Sequence, residues 1–240
     1  DLGVEVSAVP GRGYRLGQAF EPLDGERILS DVDLGARERL GRVEVLPTVD
    51  STNRFLQSLG ASGVPSGTVC LAEHQSAGRG RRGRTWVSPF GAALYLSLLW
   101  RFPLAPAALG PLSVAVGVLV AEALEDLGVE GGGLKWPNDL LWRGRKLAGV
   151  LTEVAGEATG PAQVVIGLGV NVHLPPAAGD AIDQPWVDLS TILGGPVDRN
   201  VLASRLLERL SGGLDRFSRE GFAPFRGAWD RLDLARGRPV

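Results

Sequence analysis

The chain has 240 residues, and 25 lysines and arginines against 27 aspartates and glutamates give it a formal net charge of −2 at pH 7. Hydrophobic residues make up 44% of the sequence and charged residues 22%, which is typical of a globular protein and excludes a disordered or collagenous chain. The balance of charges excludes a strongly basic nucleic-acid coat and an acidic tail.

The predicted elements are strands, paired in hairpins or in groups, with helices between them. The first half of the chain is predicted to contain, in order, a hairpin over 4–16, a linker over 18–24, a weak helix over 25–40, a strand over 43–46, a helix beginning near 52 and strands over 68–73 and 92–100. The second half is predicted to contain a helix over 106–127, strands over 134–136, 139–142, 146–154 and 164–172, mostly helices from 188, and a strand beginning at 237. The strand over 92–100 is apolar on both faces, which predicts a central position. This pattern predicts an α+β fold, in which helices pack on one side of a mixed β-sheet.

Counts of single residue types, the start of the chain and its most apolar stretch add further expectations. Cys70 is the only cysteine, so no internal disulfide can form and a reducing, cytoplasmic location is expected. The start of the chain has no signal-peptide pattern, and the apolar run over 105–121 contains Pro111 and predicts a buried helix, not a membrane span. The absence of methionine predicts that the chain is processed or is a fragment. Lys135 and Lys146 are the only lysines, which makes both of interest as functional cations.

The segment Gly78–Arg84 reads GRGRRGR and matches the G-x-G-x-x-G fingerprint of dinucleotide binding. That interpretation requires a helix immediately afterwards, and Pro89 followed by a strand excludes it. Glycines permit close approach of the backbone to a ligand, and arginines donate forked hydrogen bonds to phosphate or carboxylate. The alternatives are an exposed surface loop or a nucleic-acid-binding arginine–glycine segment. Trp86, just beyond, is expected to pack in the core or against an adenine.

A second segment, Lys135–Leu140, reads KWPNDL, and its proline restrains the preceding tryptophan to an extended conformation. Lys135 is therefore expected at a strand end, either as a surface charge or as a fixed functional cation. Gly149 on the partner strand leaves room for a ligand or marks a bulge. Asn171 ends a glycine-containing strand, at a pocket edge or in plain sheet packing.

The cluster Ser51-Thr52-Asn53 has the composition of a helix N-cap. It could also present hydroxyls, an amide and backbone N–H groups to a polar or anionic ligand. The sequence contains no phosphate-binding loop of the G-x-x-x-x-G-K-[ST] type, no G-x-S-x-G motif and no cluster of cysteine and histidine, so no metal site built from protein side chains is assigned.

Four motifs together resemble biotin–protein ligases in their order and spacing: Ser51–Asn53, Gln75–Arg84, Lys135–Leu140 and Lys146–Val150. The resemblance implies a catalytic domain over 25–232 that is related to class II aminoacyl-tRNA synthetases and lipoate ligases. It implies two steps, in which ATP with Mg²⁺ first converts biotin to biotinyl-5′-AMP and pyrophosphate. A lysine of the biotin carboxyl carrier protein of acetyl-CoA carboxylase then accepts the biotinyl group as an amide.

The resemblance also implies roles for single residues and requires no covalent enzyme nucleophile. The expected catalytic residues are Lys135, Arg81 and Arg79. The expected biotin-binding residues are Ser51, Thr52, Asn53, Gln75, Arg79, Gly80, Arg81, Lys135 and Gly149, of which Gly149 leaves room for the valeryl chain. The expected ATP- and adenylate-binding residues are Arg81, Arg84, Trp86, Lys135, Asn138 and Asn171.

The ends of the chain resemble parts of further domains. The hairpin over 4–16 is similar to the wing of the winged helix-turn-helix domain of bifunctional family members, which also repress biotin synthesis genes. This implies a remnant wing with its linker over 1–24 and the first strand of a truncated C-terminal β-barrel over 233–240. Operator DNA is then a partner of the full-length parent only, and a homodimer is expected. The alternatives are a lipoate or octanoate ligase or transferase, disfavoured by the arginine-rich loop, and a ligand-sensing DNA-binding regulator.

Overall fold

The computed structural model describes residues 6–11, 13–16 and 21–237. Within this part of the chain two strands form a hairpin and seven form one sheet. The strands are Val6–Val9 (β1), Gly13–Leu16 (β2), Val43–Leu46 (β3), Val69–Ala72 (β4), Ala93–Phe102 (β5), Gly132–Lys135 (β6), Asp139–Trp142 (β7), Arg145–Gly156 (β8) and Ala162–Asn171 (β9). The α-helices are Gly25–Asp31 (α1), Leu34–Arg37 (α2), Thr52–Ala61 (α3), Leu112–Asp126 (α4), Pro176–Gly179 (α5), Leu189–Leu193 (α6), Arg199–Glu220 (α7) and Arg226–Leu232 (α8).

The hairpin and the sheet have the predicted character. The strands β1 and β2 pair antiparallel, which confirms the hairpin for its described residues. The large sheet has the order β3-β4-β5-β9-β8-β7-β6, with β3 and β4 parallel and the other pairs antiparallel, so it is mixed. The central position of β5 is also confirmed, since it pairs with β9 from Ala93↔Asn171 to Phe102↔Ala162. Residues 238–240, where the sequence predicts most of a further strand, lie outside the described residues.

One face of the sheet carries the main hydrophobic core. Alternate residues of β5, namely Leu94, Leu96 and Leu98, are fully buried on this face because successive side chains of a strand point to opposite sides. The helices α1, α2, α4, α7 and α8 all contribute buried side chains to the same core. For these helices the predicted packing on one side of the sheet holds.

The helix α3 lies on the opposite face and is the exception to that prediction. Its Leu56 packs against Cys70, Leu99 and Val165, which belong to β4, β5 and β9. The central strands are apolar on both faces, so each face needs a cover. The N-terminus of α3 therefore lies over the middle of the sheet, where the candidate site lies.

The predicted helix over 106–127 is divided in two. A 3₁₀ turn over Pro106–Leu109 precedes α4, and Gly110 and Pro111 separate them. The stretch Pro106–Asp126 is long and apolar enough to cross a membrane by length and composition alone, with a mean hydropathy of 1.9. In this fold α4 packs against α7 and the sheet, and the predicted buried helix is confirmed.

A buried ion pair fastens the start of the main domain to the sheet. Arg199 at the N-terminus of α7 pairs with Glu73 after β4, with 2.6 Å between Nη1 and Oε2 and only 6% of each side chain exposed. The other carboxylate oxygen of Glu73 accepts a hydrogen bond from the backbone N–H of Leu23, and Arg199 donates to the carbonyl of Glu21. The segment over 21–24 is therefore held by α7 and by the strand that leads into the site.

Candidate active site

A cavity of about 840 Å³ opens above the glycine-containing parts of β8 and β9. This volume lies within the range of small-molecule sites, about 300–1,000 Å³. Its walls are the N-terminus of α3, the loop over 75–87, the β6–β7 turn and the segment over 181–186. Every residue that the sequence singles out for a site lines this cavity, namely Ser51, Thr52, Asn53, Gln75, Arg79, Gly80, Arg81, Arg84, Trp86, Lys135, Asn138, Gly149 and Asn171.

The N-terminus of α3 and Gln75 form one polar wall. Gln75 Oε1 accepts hydrogen bonds from the backbone N–H and the hydroxyl of Thr52, at 3.0 and 3.2 Å, and Gln75 Nε2 donates to Ser88 at 3.2 Å. Ser51 occupies the N-cap position, as predicted, but its side chain makes no capping hydrogen bond. The Ser51 hydroxyl is therefore not committed to the helix.

Asn53 is buried beneath this wall and bonded within the protein. Its Nδ2 donates to Glu153 Oε2 at 2.7 Å, and its Oδ1 accepts from the hydroxyl of Ser97 at 2.6 Å. A Cβ on Gly167 of β9 would overlap the Asn53 amide, so this glycine makes the placement possible. The geometry favours a supporting role for Asn53 over direct ligand contact.

The segment over 78–86 is a compact turn that projects over the cavity, which we call the arginine loop. The backbone N–H of Gly80 donates to the carbonyl of Arg84 at 2.7 Å, and that of Trp86 donates to Gly78 at 2.9 Å. A single 3₁₀ turn over Arg81–Gly83 forms its tip. The next element after the loop is the strand β5 and not an α-helix, so the exclusion of a dinucleotide-binding turn is confirmed.

The four arginines of this loop divide into two groups. Arg79 Nη1 lies 3.0 Å from Glu153 Oε1 on β8. Arg81, Arg82 and Arg84 are exposed and form no ion pair with any described residue. Three uncompensated positive charges therefore sit at the mouth of the cavity, where an anion would meet them.

Trp86 lies flat on a floor of two glycines. A Cβ on Gly149 of β8 or on Gly169 of β9 would collide with the indole ring. The space that Gly149 was expected to leave for a ligand chain is thus filled by Trp86, whose Nε1 is buried without a hydrogen-bond partner among the described residues. The ring belongs to neither hydrophobic cluster and is half-buried in the cavity wall.

The two lysines reach the cavity from different depths. Lys146 Nζ forms an ion pair with Asp139 Oδ1 at 2.9 Å, lies 5.3 Å from the centroid of the Trp86 ring, and its side chain is only 14% exposed. Lys135, at the end of the edge strand β6, is exposed. Sequence reasoning placed Lys135 among the site residues and left out Lys146, although the scarcity of lysines marked both.

The two asparagines predicted on the nucleotide side bond to backbone carbonyls of β8, Asn171 at Lys146 and Asn138 at Val150. Asn171 Nδ2 donates to the carbonyls of Lys146 and Val187, at 3.3 and 3.1 Å. Asn138 Nδ2 donates to the carbonyl of Val150 at 2.9 Å. Their amide nitrogens are engaged within the protein, so these residues shape the cavity wall.

The side chains that line the cavity include more cations than carboxylates. Asp139 and Asp183 line the cavity, and within the described ranges no group of three or more histidine, cysteine, aspartate or glutamate side chains could hold a metal ion. Partial burial lowers the pKa of His74, next to Gln75, below its ordinary value of 6.5, so this imidazole is neutral at pH 7.

Comparisons with known proteins agree with this geometry. The model of the biotin/lipoate A/B protein ligase family matches residues 45–171. The chain is 45% identical over 241 residues to the bifunctional ligase/repressor of Salmonella typhimurium, covering 100% of this chain and 72% of that protein. It is 42% identical over 194 residues to the biotin–[acetyl-CoA-carboxylase] ligase of Mycobacterium tuberculosis, covering 79% of this chain and 70% of that protein.

A solved structure extends the agreement to the fold. The biotin protein ligase of Aquifex aeolicus in complex with biotin and ATP superposes with a TM-score of 0.67 at 32% identity, over 80% of this chain and 78% of that one. The predicted fold class is thereby confirmed. The family match, the near-complete alignment with the Salmonella protein and the shared fold together show that the chain belongs to the biotin/lipoate A/B protein ligase family.

Proposed function

We propose that this protein is an ATP-dependent biotin–protein ligase, which makes biotinyl-5′-AMP and transfers the biotinyl group to a lysine of a biotin carboxyl carrier protein. The observation that carries the proposal is the cavity of about 840 Å³, in which a polar helix N-terminus, three unpaired arginines and a sequestered lysine face one space. This arrangement suits a ligand with a neutral polar head and an acidic tail that must meet a triphosphate. The M. tuberculosis relative bears the name of this activity.

The first step joins two anions, so positive charge is the main requirement. One carboxylate oxygen of biotin attacks the α-phosphorus of ATP, the new C–O–P bond forms, and the bond to the leaving pyrophosphate breaks. Negative charge grows on the bridging and non-bridging oxygens, where preorganised cations stabilise it. We assign this role to Lys135, which forms no ion pair with a described residue, together with Lys146, which is sequestered and held by Asp139.

The arginine loop supplies the second part of the chemistry. Arg81 and Arg84 are free to approach the phosphates, and Gly80 allows the backbone to come close to the ligand. A loop closed over the mixed anhydride keeps water away from it. In the second step the amine of the acceptor lysine attacks the acyl carbon, the amide forms, and AMP leaves with the electrons of the broken C–O bond.

The recognition end of the cavity is assigned to the wall formed by Ser51, Thr52 and Gln75. The uncommitted hydroxyl of Ser51 and the amide of Gln75 suit the ureido ring of biotin, which offers two N–H donors and one carbonyl acceptor. Asn53 supports this wall from below. Trp86 offers the free face of its indole to the adenylate.

Mg²⁺ would enter with the nucleotide. It prefers oxygen ligands and usually binds through one or two carboxylates together with substrate phosphates. Asp183, which lines the cavity and forms no ion pair with a described residue, fits this pattern, whereas Asp139 is already paired with Lys146; an ion held there would neutralise phosphate charge.

The remaining assignments concern the setting of the enzyme. We assign residues 1–24 to a wing and linker, 25–232 to the catalytic domain and 233–240 to the start of a C-terminal barrel. The acceptor is the carrier protein of acetyl-CoA carboxylase, and the enzyme works in the cytoplasm, as a homodimer and without a membrane partner. Binding of operator DNA and repression of biotin synthesis genes are proposed for a protein that also carries a complete winged helix-turn-helix domain, since the Salmonella relative is named a ligase/repressor.

The decisive experiment is biotinylation of a purified carrier domain. The chain is incubated with the carrier domain, biotin, ATP and Mg²⁺, and the product is detected with labelled avidin, with lipoate and octanoate in parallel reactions. We expect an ATP-dependent avidin signal and no lipoyl or octanoyl transfer. Preferential lipoyl or octanoyl transfer would establish the sister activity instead. Biotin binding without adenylate formation would favour a ligand-sensing regulator.

A further inference from the structure

We propose that Glu153 anchors the arginine loop through Arg79, so that Arg79 is a positioning residue and not a ligand of the substrate anions. This inference deepens the proposed function, and its ligand readout depends on that function. It departs from the expectation that Arg79 closes over the intermediate together with Arg81.

The contact geometry is that of a fixed attachment. Glu153 on β8 uses both carboxylate oxygens, Oε1 at 3.0 Å from Arg79 Nη1 and Oε2 at 2.7 Å from Asn53 Nδ2. Its side chain is 21% exposed, whereas that of Arg79 is 43% exposed. The carboxylate is therefore mostly removed from water and has an internal partner on each side.

Through Asn53, Glu153 is also linked to other strands of the sheet. Asn53 accepts a hydrogen bond from Ser97 on β5 at 2.6 Å and fits against Gly167 of β9. Glu153 thus connects the loop to three neighbouring strands and to the first turn of α3. Because Thr52 on that same turn binds Gln75, a movement of Glu153 would disturb the loop and the recognition wall together.

The position of Arg79 within the loop also suits an anchor. Arg79 pairs with Thr85 as an isolated β-bridge at the base of the loop, and Arg81, Arg82 and Arg84 lie beyond or beside it without ion pairs to described residues. Arg79 is neutralised by Glu153, whereas Arg81, Arg82 and Arg84 form no ion pair with a described residue. We infer a division of labour in which the base fixes the loop and the tip meets the anion.

Limited digestion with trypsin tests the anchor independently of any ligand, because trypsin cleaves after arginine and the loop carries Arg81, Arg82 and Arg84 in addition to Arg79. Glu153→Gln and Arg79→Gln each remove the ion pair, and Glu157→Gln is a matched control at an exposed glutamate outside the network. We expect cleavage at 81–84 to rise about fivefold in both test variants, since a partly exposed pair contributes up to about 1 kcal/mol to local closure. Arg79→Gln alters an exposed residue, so the test survives if Glu153→Gln fails to fold.

The double variant and biotin affinity separate the two roles of Arg79. If the pair is the anchor, Glu153→Gln with Arg79→Gln is cleaved no faster than either single variant, and both single variants weaken biotin binding to a similar extent. The proposal is overturned if Glu153→Gln is cleaved at the rate of Glu157→Gln. It is also overturned if Arg79→Gln weakens biotin binding while Glu153→Gln leaves it unchanged, which is the signature of a direct ligand. If the unaltered chain binds no biotin, the proposed function fails, and the digestion result still decides the anchor.

Discussion

The two lysines of the chain have different surroundings in one cavity wall. Lys146 is sequestered, paired with Asp139 and close to the Trp86 ring, and its backbone is bound on both sides by the segment over 185–187. Lys135 ends an edge strand and is exposed. A cation shielded from water acts at a lower effective dielectric constant, whereas an unpaired cation keeps its full charge for a ligand. Burial and pairing thus differ between the two lysines in ways that the sequence alone does not show.

These surroundings give a direct kinetic prediction. We expect Lys135→Ala and Lys146→Ala each to reduce biotin-dependent exchange of labelled pyrophosphate into ATP by about 10²–10³-fold, the usual cost of removing one group that stabilises a transition state. Both lysines line the cavity, and Lys135 forms no ion pair with a described residue, so its charge is available to a ligand. A loss of less than about tenfold in either variant would remove that lysine from the role.

At the scale of elements, the shape of the arginine loop depends on the backbone conformation of its 3₁₀ turn, and its attraction for anions depends on its arginine side chains. Arg82 has a positive φ of 57°, a conformation that side chains other than glycine rarely adopt, while Arg81 precedes it in the same 3₁₀ turn. The two positions thus carry the same charge on different backbone conformations. They form a natural pair for separating the effect of charge from that of loop geometry.

We expect Arg81→Gly to release biotinyl-5′-AMP from the enzyme and to biotinylate bystander proteins, because the flexible, less charged tip no longer retains the adenylate. Arg82→Gly places glycine where the backbone favours it, stabilises the turn by up to about 1 kcal/mol, and should release much less. Release is measured by filtration of enzyme loaded with labelled adenylate. Tight retention by Arg81→Gly would remove this residue from the lid.

A second pair of neighbours tests the packing of α4 against α7. In α7, a Cβ on Gly213 would overlap the methyl groups of Leu119 of α4, whereas a Cβ on Gly212 meets nothing within 4 Å. We expect Gly212→Ala to raise the free energy of unfolding by about 0.5–1 kcal/mol, through better helix propensity. Gly213→Ala should lower it by about 1–3 kcal/mol, through overpacking. Urea unfolding measures both, and equal shifts would mean that the helices do not meet at Gly213.

At the scale of the molecule, the buried pair of Arg199 and Glu73 joins α7 to the end of β4, beside the segment over 21–24. Arg199→Met leaves the buried carboxylate of Glu73 without its cation and should lower the free energy of unfolding by about 3–5 kcal/mol. Arg209→Met breaks a pair with Asp126 whose side chains are 45% and 41% exposed, and should cost less than about 1 kcal/mol. Similar losses in the two variants would contradict the assigned importance of the Glu73 pair.

The sequence predicts local structure and the residues that line the cavity better than it predicts how deeply a side chain is buried and which side of the sheet a helix covers. The strand at Val43–Leu46 and the hairpin of β7 and β8 follow from short-range patterns, and the site motifs were identified by their residues. The side of the sheet that α3 covers depends on which strands neighbour one another. The neutralisation of Arg79 by Glu153 and the placement of Lys146 beside the Trp86 ring depend on contacts between residues far apart in the sequence, which no local pattern encodes.

The small hydrophobic cluster beneath α3 contains Cys70, and the rate at which this cysteine is labelled can report the opening of that part of the structure. Cys70 is fully shielded there, and burial raises the pKa of its thiol to about 12, so an electrophilic dye can modify it only while α3 lifts from the sheet. Because the chain has a single cysteine, each labelling event reports that one opening. Biotin seated against the first turn of α3 should slow the labelling, whereas an unchanged rate would place the vitamin elsewhere.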